Sequence, residues 1–381
     1  MGGSDMTKKI AVLVDAHVFD GMFQGTRTYI KGLYSALASS DCISVYLAAQ
    51  NIDQLAIEFR GIRNIEFVKL GGSSSVKRLL IEIPSLVKRL AIDYVHYQYV
   101  DSPVKDCKTI VTIHDVLFLD FPADFSWIYR QKKHLFRIAA KRADLLTTVS
   151  EYSQSRIFHH FKIPLKRIHV VKEAIDDMYF ASMDKEFSRR YIDKKFAIRK
   201  IILYVSRVEP RKNHLLLLQS FLELKLWERG FHLVFVGSKS IKCDELEAMI
   251  IEIPKAAAGY FHHFERIEQE DLLHFYRASD LFVYPTRAEG FGFPPLEAAA
   301  MKVETLLSSA TSLAEFKFFG GRFFDPNNLD ELKKKMLCVI DRPSEFEDME
   351  LISAVIRSEY NWKRCAEIME SMIVDSYAKQ C

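Results

Sequence analysis

The sequence predicts an α/β protein with two doubly wound, Rossmann-like domains, and three observations lead to this prediction. The chain has 381 residues, which is more than one domain usually holds. Short apolar segments rich in β-branched residues alternate with amphipathic segments, a pattern typical of parallel sheets covered by helices. The alternation is interrupted by the charge-rich stretch 184–199 and then begins again, so a second domain follows the first.

The first domain is predicted to begin with a strand, a loop and a helix. Residues 10–14 form an apolar run that ends at Asp15, and a loop with Gly21 and Gly25 follows. The next segment has helical spacing, with one apolar face formed by Tyr29, Ile30, Leu33, Tyr34 and Leu37. Further strands are predicted at 44–49, 65–70, 93–99, 108–115, 144–150 and 167–175.

The second domain repeats this pattern. Strands are predicted at 200–207, 231–238, 260–264, 280–286 and 302–307, again separated by helices. A long amphipathic helix over 361–377 closes the chain. We therefore expect a first domain at 6–180, joined by the C-terminal helix at 360–381, and a second domain at 195–358. Two such domains in tandem predict a ligand cleft at the carboxyl ends of both sheets.

The composition excludes several classes of protein. The 53 basic residues are almost balanced by 50 acidic ones, so the net charge of +3 does not indicate a nucleic-acid-binding protein. The six cysteines are scattered without zinc spacing, which favours reduced thiols in a cytoplasmic protein. No apolar run is long enough to span a bilayer. The first residues lack the pattern of a signal peptide, and the native chain is expected to start at Met6.

The segment Arg287–Ala300 is the most informative part of the sequence. It places Glu289 and Glu297 on either side of a Gly-Phe-Gly turn and a Pro-Pro pair, between a predicted strand and a predicted helix. A helix N-terminus carries unpaired N–H groups and partial positive charge, which suits a diphosphate. Glu289 could accept hydrogen bonds from sugar hydroxyls, and Glu297, in the expected first turn, from a ribose. The alternative is that Glu297 only complements the helix dipole.

Three weaker signals lie near other predicted strand ends. Arg207 and Lys212 follow one strand and precede a helix that Asn213 is expected to cap, so both cations could bind a phosphate. His114 ends a strand of the first domain, where an imidazole can hydrogen-bond a sugar or assist proton transfer. Gly25 would let the backbone approach a phosphate. Taken singly, the two cations are also explained as surface charges, and the histidine as a structural residue.

In this order, the motifs resemble glycosyltransferase family 4, the retaining nucleotide-sugar enzymes with the GT-B fold. The resemblance covers nearly the whole chain and rests on the segments QGTRTYIKGLYSAL, VTIHD, TVSEYSQSRI, VSRVEPRKN and EGFGFPPLEA. Its most specific element is the pair Glu289 and Glu297, with seven residues between them. The chain departs from the family at Gln24-Gly25-Thr26, at Ala174, and at Met301-Lys302-Val303-Glu304, where the family commonly has glycine.

The resemblance implies a role for each of these residues. Arg207 and Lys212 would bind the donor diphosphate. Glu297 would hold the ribose, and Glu289 would contact the donor sugar. The donor site would be completed by the backbone of Gly290, Phe291, Gly292 and Phe293. The family needs no cofactor and no metal, because the helix end and the basic pair stabilise the leaving diphosphate.

The remaining assignments concern the sugar and the base. His114 would lie beside the donor sugar, Gly25 near the phosphate and the acceptor, and the nucleobase near Arg266 and Ile267. Retention in this family is ascribed to front-face attack, with the leaving phosphate taking the acceptor's proton, so Glu289 is not assigned as a nucleophile. The expected catalytic set is His114, Arg207, Lys212 and Glu289.

The expected function is retaining, metal-independent transfer of a hexose in polysaccharide biosynthesis. The donor would be a UDP- or GDP-sugar, and the acceptor a hydroxyl of a glycan or of a lipid-linked saccharide. The alternative is a non-catalytic GT-B subunit that binds nucleotide or glycan as a scaffold. The departures from the family motifs keep this alternative open.

Two segments of the first domain bear on the acceptor. Residues 75–92 place four cations among apolar residues, namely Lys77, Arg78, Lys88 and Arg89. This helix could lie on an anionic membrane, which predicts a cytoplasmic enzyme with peripheral contact at the inner membrane face. The plainer alternative is a core-packed helix with a solvated edge. Acceptor specificity is expected in loops such as 118–129, where Trp127 could stack on a sugar or pack internally.

Overall fold

The computed structural model describes residues 9–21, 25–72, 74–181, 184–343 and 346–379. Gln24 of the first glycine loop and the expected start at Met6 lie outside the described residues. The chain divides into two compact units, one formed by Met1–Ala174 and Tyr360–Cys381 and the other by Ile175–Glu359. Within the described ranges, no helix is both long enough and apolar enough to cross a bilayer.

A parallel sheet forms the centre of the first unit. Its strands are β1 (Ile10–Asp15), β2 (Ile43–Ala49), β3 (Ile65–Lys69), β4 (Tyr94–Gln98), β5 (Lys108–Thr112), β6 (Leu145–Thr148) and β7 (Ile168–Val170). They pair in parallel in the order β3-β2-β1-β4-β5-β6-β7. Each strand predicted for this domain is present. The strand predicted at 108–115 ends at Thr112, so His114 lies in the segment that follows it.

Helices connect these strands, as the alternating pattern predicts. They are α1 (Gly25–Leu37), α2 (Ile52–Glu58), α3 (Ser75–Lys77), α4 (Ile83–Leu90), α5 (Leu117–Asp120), α6 (Trp127–Arg130), α7 (Lys133–Arg142) and α8 (Glu151–Phe161). The apolar face predicted for α1 is buried. Burial of this stripe is what holds the helix against the rest of the unit.

The segment 75–92 differs from the single amphipathic helix that its sequence suggests. A π-helical turn, Arg78–Glu82, separates α3 from α4. Arg78 is buried, and its Nε donates a hydrogen bond to Oδ2 of Asp15 at 3.1 Å. Arg78 is therefore not one of the cations that could face a membrane, because it is buried and an ion pair compensates the burial of its guanidinium.

The second unit repeats the parallel arrangement. Its strands are β8 (Lys200–Val205), β9 (Phe231–Val236), β10 (Phe261–Phe264), β11 (Leu281–Tyr284), β12 (Thr305–Ser308) and β13 (Phe323–Phe324). Their order is β10-β9-β8-β11-β12-β13. The helices of this unit are α9 (Lys185–Phe196), α10 (His214–Glu223), α11 (Asp244–Ile251), α12 (Lys255–Ala258), α13 (Gln269–Ala278), α14 (Phe293–Ala300), α15 (Leu329–Asp341) and α16 (Phe346–Glu359). The two-residue strand β13 carries no detectable sequence pattern and was not predicted.

The charge-rich stretch 184–199 contains α9 and belongs to the second unit. Tyr191 stacks on His274 of α13 with ring centroids 4.0 Å apart. Nζ of Lys195 lies 2.6 Å from Oδ1 of Asp271, at the start of α13. The helix is therefore a packed part of the unit, and the boundary between the units lies before it, earlier than the sequence suggests.

The last helix, α17 (Trp362–Ala378), returns to the first unit and packs on α1. The indole of Trp362 lies over Gly32, where a Cβ would come within 2.0 Å of the ring. Tyr29 contacts the same indole edge-on, with centroids 6.3 Å apart. Glycine at position 32 therefore permits the close approach of the two helices. The predicted return of the C-terminal helix to the first domain is confirmed.

The strand order reverses direction once in each sheet. In the first sheet the reversal lies between β1 and β4, and in the second it lies between β8 and β11. Ligands of open α/β sheets bind at the carboxyl ends of the strands at such a switch point. Gly25 follows β1, Lys212 follows β8 and Glu289 follows β11. These three predicted site residues thus follow strands at the two switch points.

Candidate functional site

Two loops meet at the switch point of the second sheet. One follows β8 and contains the 3-10 turn Pro210–Lys212, and the other follows β11 and leads to α14. The backbone N–H of Arg287 donates to the carbonyl oxygen of Arg211 at 2.9 Å, which joins the loops directly. The fold therefore brings Lys212 next to Glu289, although 77 positions separate them in the sequence.

A buried ion pair lies at this junction. The ammonium group of Lys212 donates to Oε1 of Glu289 at 2.5 Å, and the hydroxyl of Tyr284 donates to the same oxygen at 2.8 Å. Nη1 of Arg211 lies 3.3 Å from Oε2 of Glu289. All four side chains are buried, so little water screens their charges.

The surrounding charges determine the protonation of Glu289. Burial alone would raise the pKa of its carboxyl, but Lys212 and Arg211 outweigh that effect and lower the pKa to about 2. Burial lowers the pKa of Lys212, and the carboxylate of Glu289 opposes that change. Glu289 is therefore an ionised carboxylate at neutral pH, held by hydrogen bonds and charge on both oxygens.

Arg211 is a site residue that the sequence analysis missed. Its Nη1 also donates to the carbonyl oxygen of Ala288, and its Nη2 donates to Oε1 of Glu209 at 2.7 Å. The guanidinium thus holds the backbone of the second loop and pairs with a second buried carboxylate. The acidic Glu209 close to the basic pair Arg211 and Lys212 in EPRKN was a signal for such a cluster, because buried charges require partners.

Arg207 and Asn213 lie at the edges of this cluster. The side chain of Arg207 is exposed and, among the residues that the structure describes, forms no hydrogen bond or ion pair, so it is not drawn into the cluster with Lys212. Asn213 precedes α10 in a left-handed conformation, but its side chain does not cap that helix. Its amide instead donates to the carbonyl oxygens of Pro285 and Pro326 at 3.1 and 2.8 Å. The expected side-chain cap is therefore wrong, and Asn213 ties three segments together.

The loop before α14 is shaped by Gly292 and Ser312. Gly292 has φ +115°, and a Cβ there would approach Cδ2 of Leu313 to 2.5 Å, so only glycine fits. The hydroxyl of Ser312 lies 2.9 and 2.8 Å from the carbonyl oxygens of Glu289 and Phe291. Pro294 and Pro295 occupy the first turn of α14, as predicted. Ser312 thus fixes the carbonyl groups of Glu289 and Phe291 in this loop.

Glu297 lies one turn into α14, because the helix begins at Phe293. The prediction that Glu297 lies in the first turn is therefore wrong. Because the effect of the helix dipole falls off after the first turn, the alternative that Glu297 only compensates the dipole is weakened. The hydroxyl of Tyr276 donates to Oε2 of Glu297 at 2.7 Å, and Tyr179 also hydrogen-bonds the carboxylate. Burial raises the pKa of Glu297, and these hydrogen bonds oppose that rise. The side chain is thus positioned by two tyrosines that the sequence analysis did not identify.

In the first unit, His114 belongs to a buried polar network. Its Nδ1 lies 3.0 Å from Oε1 of Glu173, and its Nε2 lies 2.8 Å from Oε1 of Gln98. The ring of Tyr29 meets the imidazole edge-on, with centroids 4.9 Å apart. Burial raises the pKa of Glu173, and His114 opposes that rise. Glu173 therefore fixes the orientation of the ring, a role that the sequence analysis missed.

The rest of this network sets the direction of the hydrogen bond between His114 and Gln98. Burial, and to a smaller extent the charge of His114, lower the pKa of His96 to about 3, so its ring is neutral at neutral pH. Nε2 of His96 faces the hydroxyl of Thr112 at 2.7 Å and the amide nitrogen of Gln98 at 3.3 Å. The amide oxygen of Gln98 then faces His114, so Nε2 of His114 is the donor in that contact.

The other predicted site residues lie at separate places on the two sheets. Gly25 is exposed at the first position of α1. Arg266 is exposed and Ile267 half-buried in the segment between β10 and α13. A cavity of about 240 Å³ lies at the carboxyl ends of β9 and β10, lined in part by Val208 and His263.

Comparison with protein families gives two matches that together span most of the chain. A family model described as Glycosyltransferase Family 4 matches residues 23–178. A family model described as Glycosyl transferases group 1 matches residues 188–353. The first match covers the strands around His114, and the second covers the loops with Lys212 and Glu289.

Characterised relatives include two Escherichia coli proteins. The O-antigen chain mannosyltransferase B is 28% identical over 261 residues, which cover 68% of this chain and 68% of that protein. The serotype-specific mannosyltransferase WbdA is 24% identical over 280 residues, 68% of this chain and 32% of that protein. The chain thus spans about a third of the length of the second relative. Mannosylfructose-phosphate synthase from Agrobacterium fabrum is 24% identical over 66% of this chain and 57% of its own length.

Solved structures share the fold at low sequence identity. A sucrose-phosphate synthase from Thermosynechococcus elongatus has a TM-score of 0.78 and 16% identity, covering 98% of this chain and all of the other. A glycosyltransferase from Rickettsia africae has a TM-score of 0.74 and 17% identity, covering 97% and 99%. Anabaena HepE in complex with UDP has a TM-score of 0.71 and 14% identity, covering 97% and 100%.

Proposed function

Because this chain belongs to glycosyltransferase family 4 and its two units have the GT-B fold, we propose that it transfers a hexose from a nucleotide-diphosphate sugar to a hydroxyl of a glycan or lipid-linked saccharide. The proposed reaction retains the anomeric configuration and needs no metal ion. The observation that carries the proposal is the buried pair of Lys212 and Glu289 at the switch point of the second sheet, beside the start of α14.

Lys212, Arg207 and the start of α14 bind the diphosphate of the donor in this proposal. Lys212 supplies positive charge for the leaving diphosphate, and the exposed Arg207 adds a second cation that is free to reorient. The N-terminal turn of α14 supplies backbone N–H groups for the same anion. These fixed charges stabilise the negative charge that develops when the glycosidic bond breaks, which is the work a metal ion does in other transferases.

Glu289 acts as an acceptor for sugar hydroxyls and not as a nucleophile. Its carboxylate receives hydrogen bonds from Lys212 and Tyr284 and faces Arg211, and its pKa is lowered to about 2. A carboxylate so strongly stabilised is a poor nucleophile. In the proposed reaction the acceptor oxygen forms the new bond to the anomeric carbon on the face that the diphosphate leaves. The acceptor's proton passes to the leaving phosphate oxygen.

The two remaining roles belong to His114 and Glu297. His114 contacts the donor sugar in this proposal, with Glu173 holding Nδ1 while Nε2 exchanges its hydrogen bond to Gln98 for one to a sugar hydroxyl. Glu297 accepts hydrogen bonds from the ribose and is oriented by Tyr276. The nucleobase is assigned to the segment around Arg266 and Ile267, which follows β10.

The sugar proposed first is mannose. Several relatives are named as mannosyltransferases, among them the O-antigen chain mannosyltransferases of Escherichia coli and Salmonella typhimurium. A glycan acceptor fits the same names and the assignment to polysaccharide biosynthesis. For a lipid-linked acceptor the enzyme would work at a membrane surface, so peripheral contact at the inner membrane face is part of this proposal.

Incubation with a panel of donors tests the proposed function. GDP-mannose, UDP-glucose and UDP-N-acetylglucosamine are each mixed with the protein, and release of free nucleotide is measured with and without EDTA. Slow donor hydrolysis that persists in EDTA is expected for one donor. Proton NMR of the transfer product then reports whether the anomeric configuration is retained.

The scaffold alternative makes a different prediction in the same experiment. A non-catalytic subunit would bind one of the nucleotides without turnover, and addition of acceptor would release no further nucleotide. Tight binding of a donor without hydrolysis or transfer would therefore contradict the proposed enzyme and support a non-catalytic scaffold.

A further inference from the structure

One face of the first unit combines cations with exposed apolar side chains. The segment Trp127–Arg142, which contains α6 and α7, has six lysines and arginines and no acidic residue. The side chains of Trp127 and Ile128 are 66% and 74% exposed, and those of Leu135 and Ile138 are more than half exposed. We call this segment the basic–apolar face.

The exposed apolar residues of α7 are separate from the apolar residues with which the helix packs on the core. Phe136, Ala139 and Ala140 are buried and belong to the core of the first unit. Leu135 and Ile138 lie on the other side of the helix, beside exposed Lys132 and Lys141. The helix therefore has its core-facing stripe satisfied and carries a second apolar set in contact with solvent.

Hydrogen bonds connect this face with the end of α3 and the π-helical turn. Nη2 of Arg142 donates to the carbonyl oxygens of Ser102 and Pro103 at 3.2 and 2.9 Å. The hydroxyl of Ser102 donates to the carbonyl oxygen of Leu79 at 2.6 Å. Two exposed apolar side chains, Val76 and Ile81, flank that position. The C-terminal end of α7 and the π-helical turn are therefore joined through the loop that contains Ser102.

We propose that the basic–apolar face docks on an anionic lipid bilayer. A bilayer interface accepts aliphatic side chains and an indole in its headgroup region while its anionic lipids attract lysine and arginine. The segment Trp127–Arg142 itself contains no acidic residue, although its last residue, Arg142, pairs with Asp101 at 3.5 Å. A soluble polyanion would be attracted by the same cations but gains nothing from the exposed Trp127 and Ile128.

This inference extends the membrane contact in the proposed function and relocates it. The sequence pointed to residues 75–92, but Arg78 in that segment is buried against Asp15. Lys88 forms a surface ion pair with Asp106 at 3.3 Å. The main contact is therefore assigned to Trp127–Arg142.

Sedimentation with lipid vesicles tests the proposal. The full chain is mixed with vesicles that contain phosphatidylglycerol and with vesicles of phosphatidylcholine alone, at low and at high salt. We expect binding to the anionic vesicles only, weakened by salt. The variant Lys132→Gln/Lys141→Gln should bind about 25-fold more weakly, since each juxtamembrane cation contributes about fivefold. The variant Trp127→Ala/Ile128→Ser should also bind more weakly, and its residual binding should vanish at high salt.

Matched controls use residues of the second unit. Lys194 and Lys334 are exposed cations, and Ile251 is an exposed apolar residue, 84% exposed, on α11. Lys194→Gln/Lys334→Gln and Ile251→Ser should bind vesicles as the unchanged chain does. Circular dichroism confirms that each variant is folded.

Several outcomes would overturn the proposal. They are failure of the unchanged chain to bind anionic vesicles, equal binding to both lipids, and full binding by both face variants. If binding is lost only when Val76 and Lys77 are replaced, the membrane contact lies in residues 75–92 and not in Trp127–Arg142. Binding to soluble dextran sulfate that resists the Trp127→Ala/Ile128→Ser change, without vesicle binding, would make the face a polyanion site. Because the assay contains neither donor nor acceptor, its failure leaves the transferase proposal untouched.

Discussion

The ammonium group of Lys212 and the carboxylate of Glu289 lie 2.5 Å apart in the interior of the second unit. They come from loops that follow β8 and β11, the neighbouring strands at which the sheet order reverses. The pair therefore joins a predicted phosphate-binding residue to a predicted sugar-binding residue before any ligand is considered. Each side chain therefore supplies part of the charge compensation that the other needs in the protein interior.

Replacement of Lys212 tests its role in the proposed reaction. Lys212→Met keeps the length of the side chain but removes its charge, so donor turnover should fall by about two to three orders of magnitude, as for other groups that stabilise developing charge. The buried carboxylate of Glu289 would retain only Arg211 as a cationic partner, which should lower stability by about 3–5 kcal/mol. Donor hydrolysis and thermal unfolding are measured together. Lys334→Met, on the exposed side of α15, is the control and should change neither, whereas full activity of Lys212→Met would remove Lys212 from the mechanism.

The ion pair also predicts how stability changes in acid. The pKa of Glu289 is about 2 in the folded protein, against an ordinary value of 4.5. A lowered folded pKa adds stability above the unfolded pKa, and that stability is lost as the pH falls from 4.5 towards 2. The contribution at neutral pH is about 3 kcal/mol.

The variant Glu289→Gln isolates this contribution. The difference in free energy of unfolding between the unchanged chain and Glu289→Gln should be largest at neutral pH and should narrow through this acidic range. Urea denaturation at a series of pH values measures it. A difference that stays constant with pH would mean that Glu289 is not held as an ionised carboxylate.

Glu297 is expected to affect donor binding more than turnover. Glu297→Ala removes a charged hydrogen-bond acceptor, so the KM for the donor should rise about 10- to 100-fold while kcat changes little. It also leaves the hydroxyl of Tyr276 without its acceptor, which lowers stability. Glu297→Gln keeps an acceptor oxygen for Tyr276 and serves as the matched variant. A fall in kcat without a change in KM would contradict the proposed contact with the ribose.

The contact between His114 and Glu173 predicts a pH-dependent coupling. Burial raises the pKa of Glu173, and His114→Phe would remove the partner that opposes this rise. A carboxyl with a raised folded pKa stabilises the fold in its protonated form, and this stability is lost as the pH rises through that pKa. His114→Phe should therefore lose about 1–3 kcal/mol of stability as the pH rises above 4.5, the ordinary pKa of a glutamate.

The double variant His114→Phe/Glu173→Gln separates this coupling from a general packing defect. With the titrating carboxyl replaced by an amide, the loss of stability with rising pH should disappear. Thermal unfolding across the pH range gives the comparison, and donor hydrolysis reports separately on the role of His114. If the stability of the single and double variants depends on pH in the same way, titration of Glu173 is not the cause of the pH dependence in His114→Phe.

The sequence predicted the fold and the neighbourhood of the site because both depend on local patterns. Apolar β-branched runs predicted the strands, and the residues at their carboxyl ends come together at the switch point by topology alone. Thus Lys212 and Glu289 were identified from their places after two strands. Their direct contact was not, because an ion pair between residues 77 positions apart depends on the packing of two loops.

The residues that the sequence analysis missed act through side-chain packing. Arg211 was passed over because arginine is usually exposed, and only the fold shows that its guanidinium is buried against Ala288. Tyr276 lies in α13 and Glu173 in the segment that follows β7, where the sequence carries no motif, yet they orient Glu297 and His114. Asn213 was assigned as a helix cap from its position, whereas its side chain is used by two distant carbonyls. Such partners follow from tertiary contacts and cannot be inferred from spacing.

A departure from the family pattern gives the last prediction. Lys302 follows the end of α14 with φ +62°, a left-handed conformation that glycine adopts without strain. The N–H of Lys302 donates to the carbonyl oxygen of Ala299 at 2.9 Å, and that of Val303 donates to Ala298 at 3.1 Å, as in a glycine-terminated helix. The family commonly has glycine in this stretch, so the chain carries a lysine where the backbone favours glycine.

Lys302→Gly should therefore stabilise the second unit, and Lys302→Ala is its matched control. Both variants remove the surface ion pair with Glu350, which contributes little, but only glycine relieves the left-handed strain. Glycine should be more stable than alanine at this position by about 1 kcal/mol, because a Cβ in the left-handed region costs that much. Thermal unfolding of the two variants measures the difference. An alanine variant as stable as the glycine variant would mean that the turn after α14 is not strained, and that the loss of the family's glycine at this position costs the chain nothing.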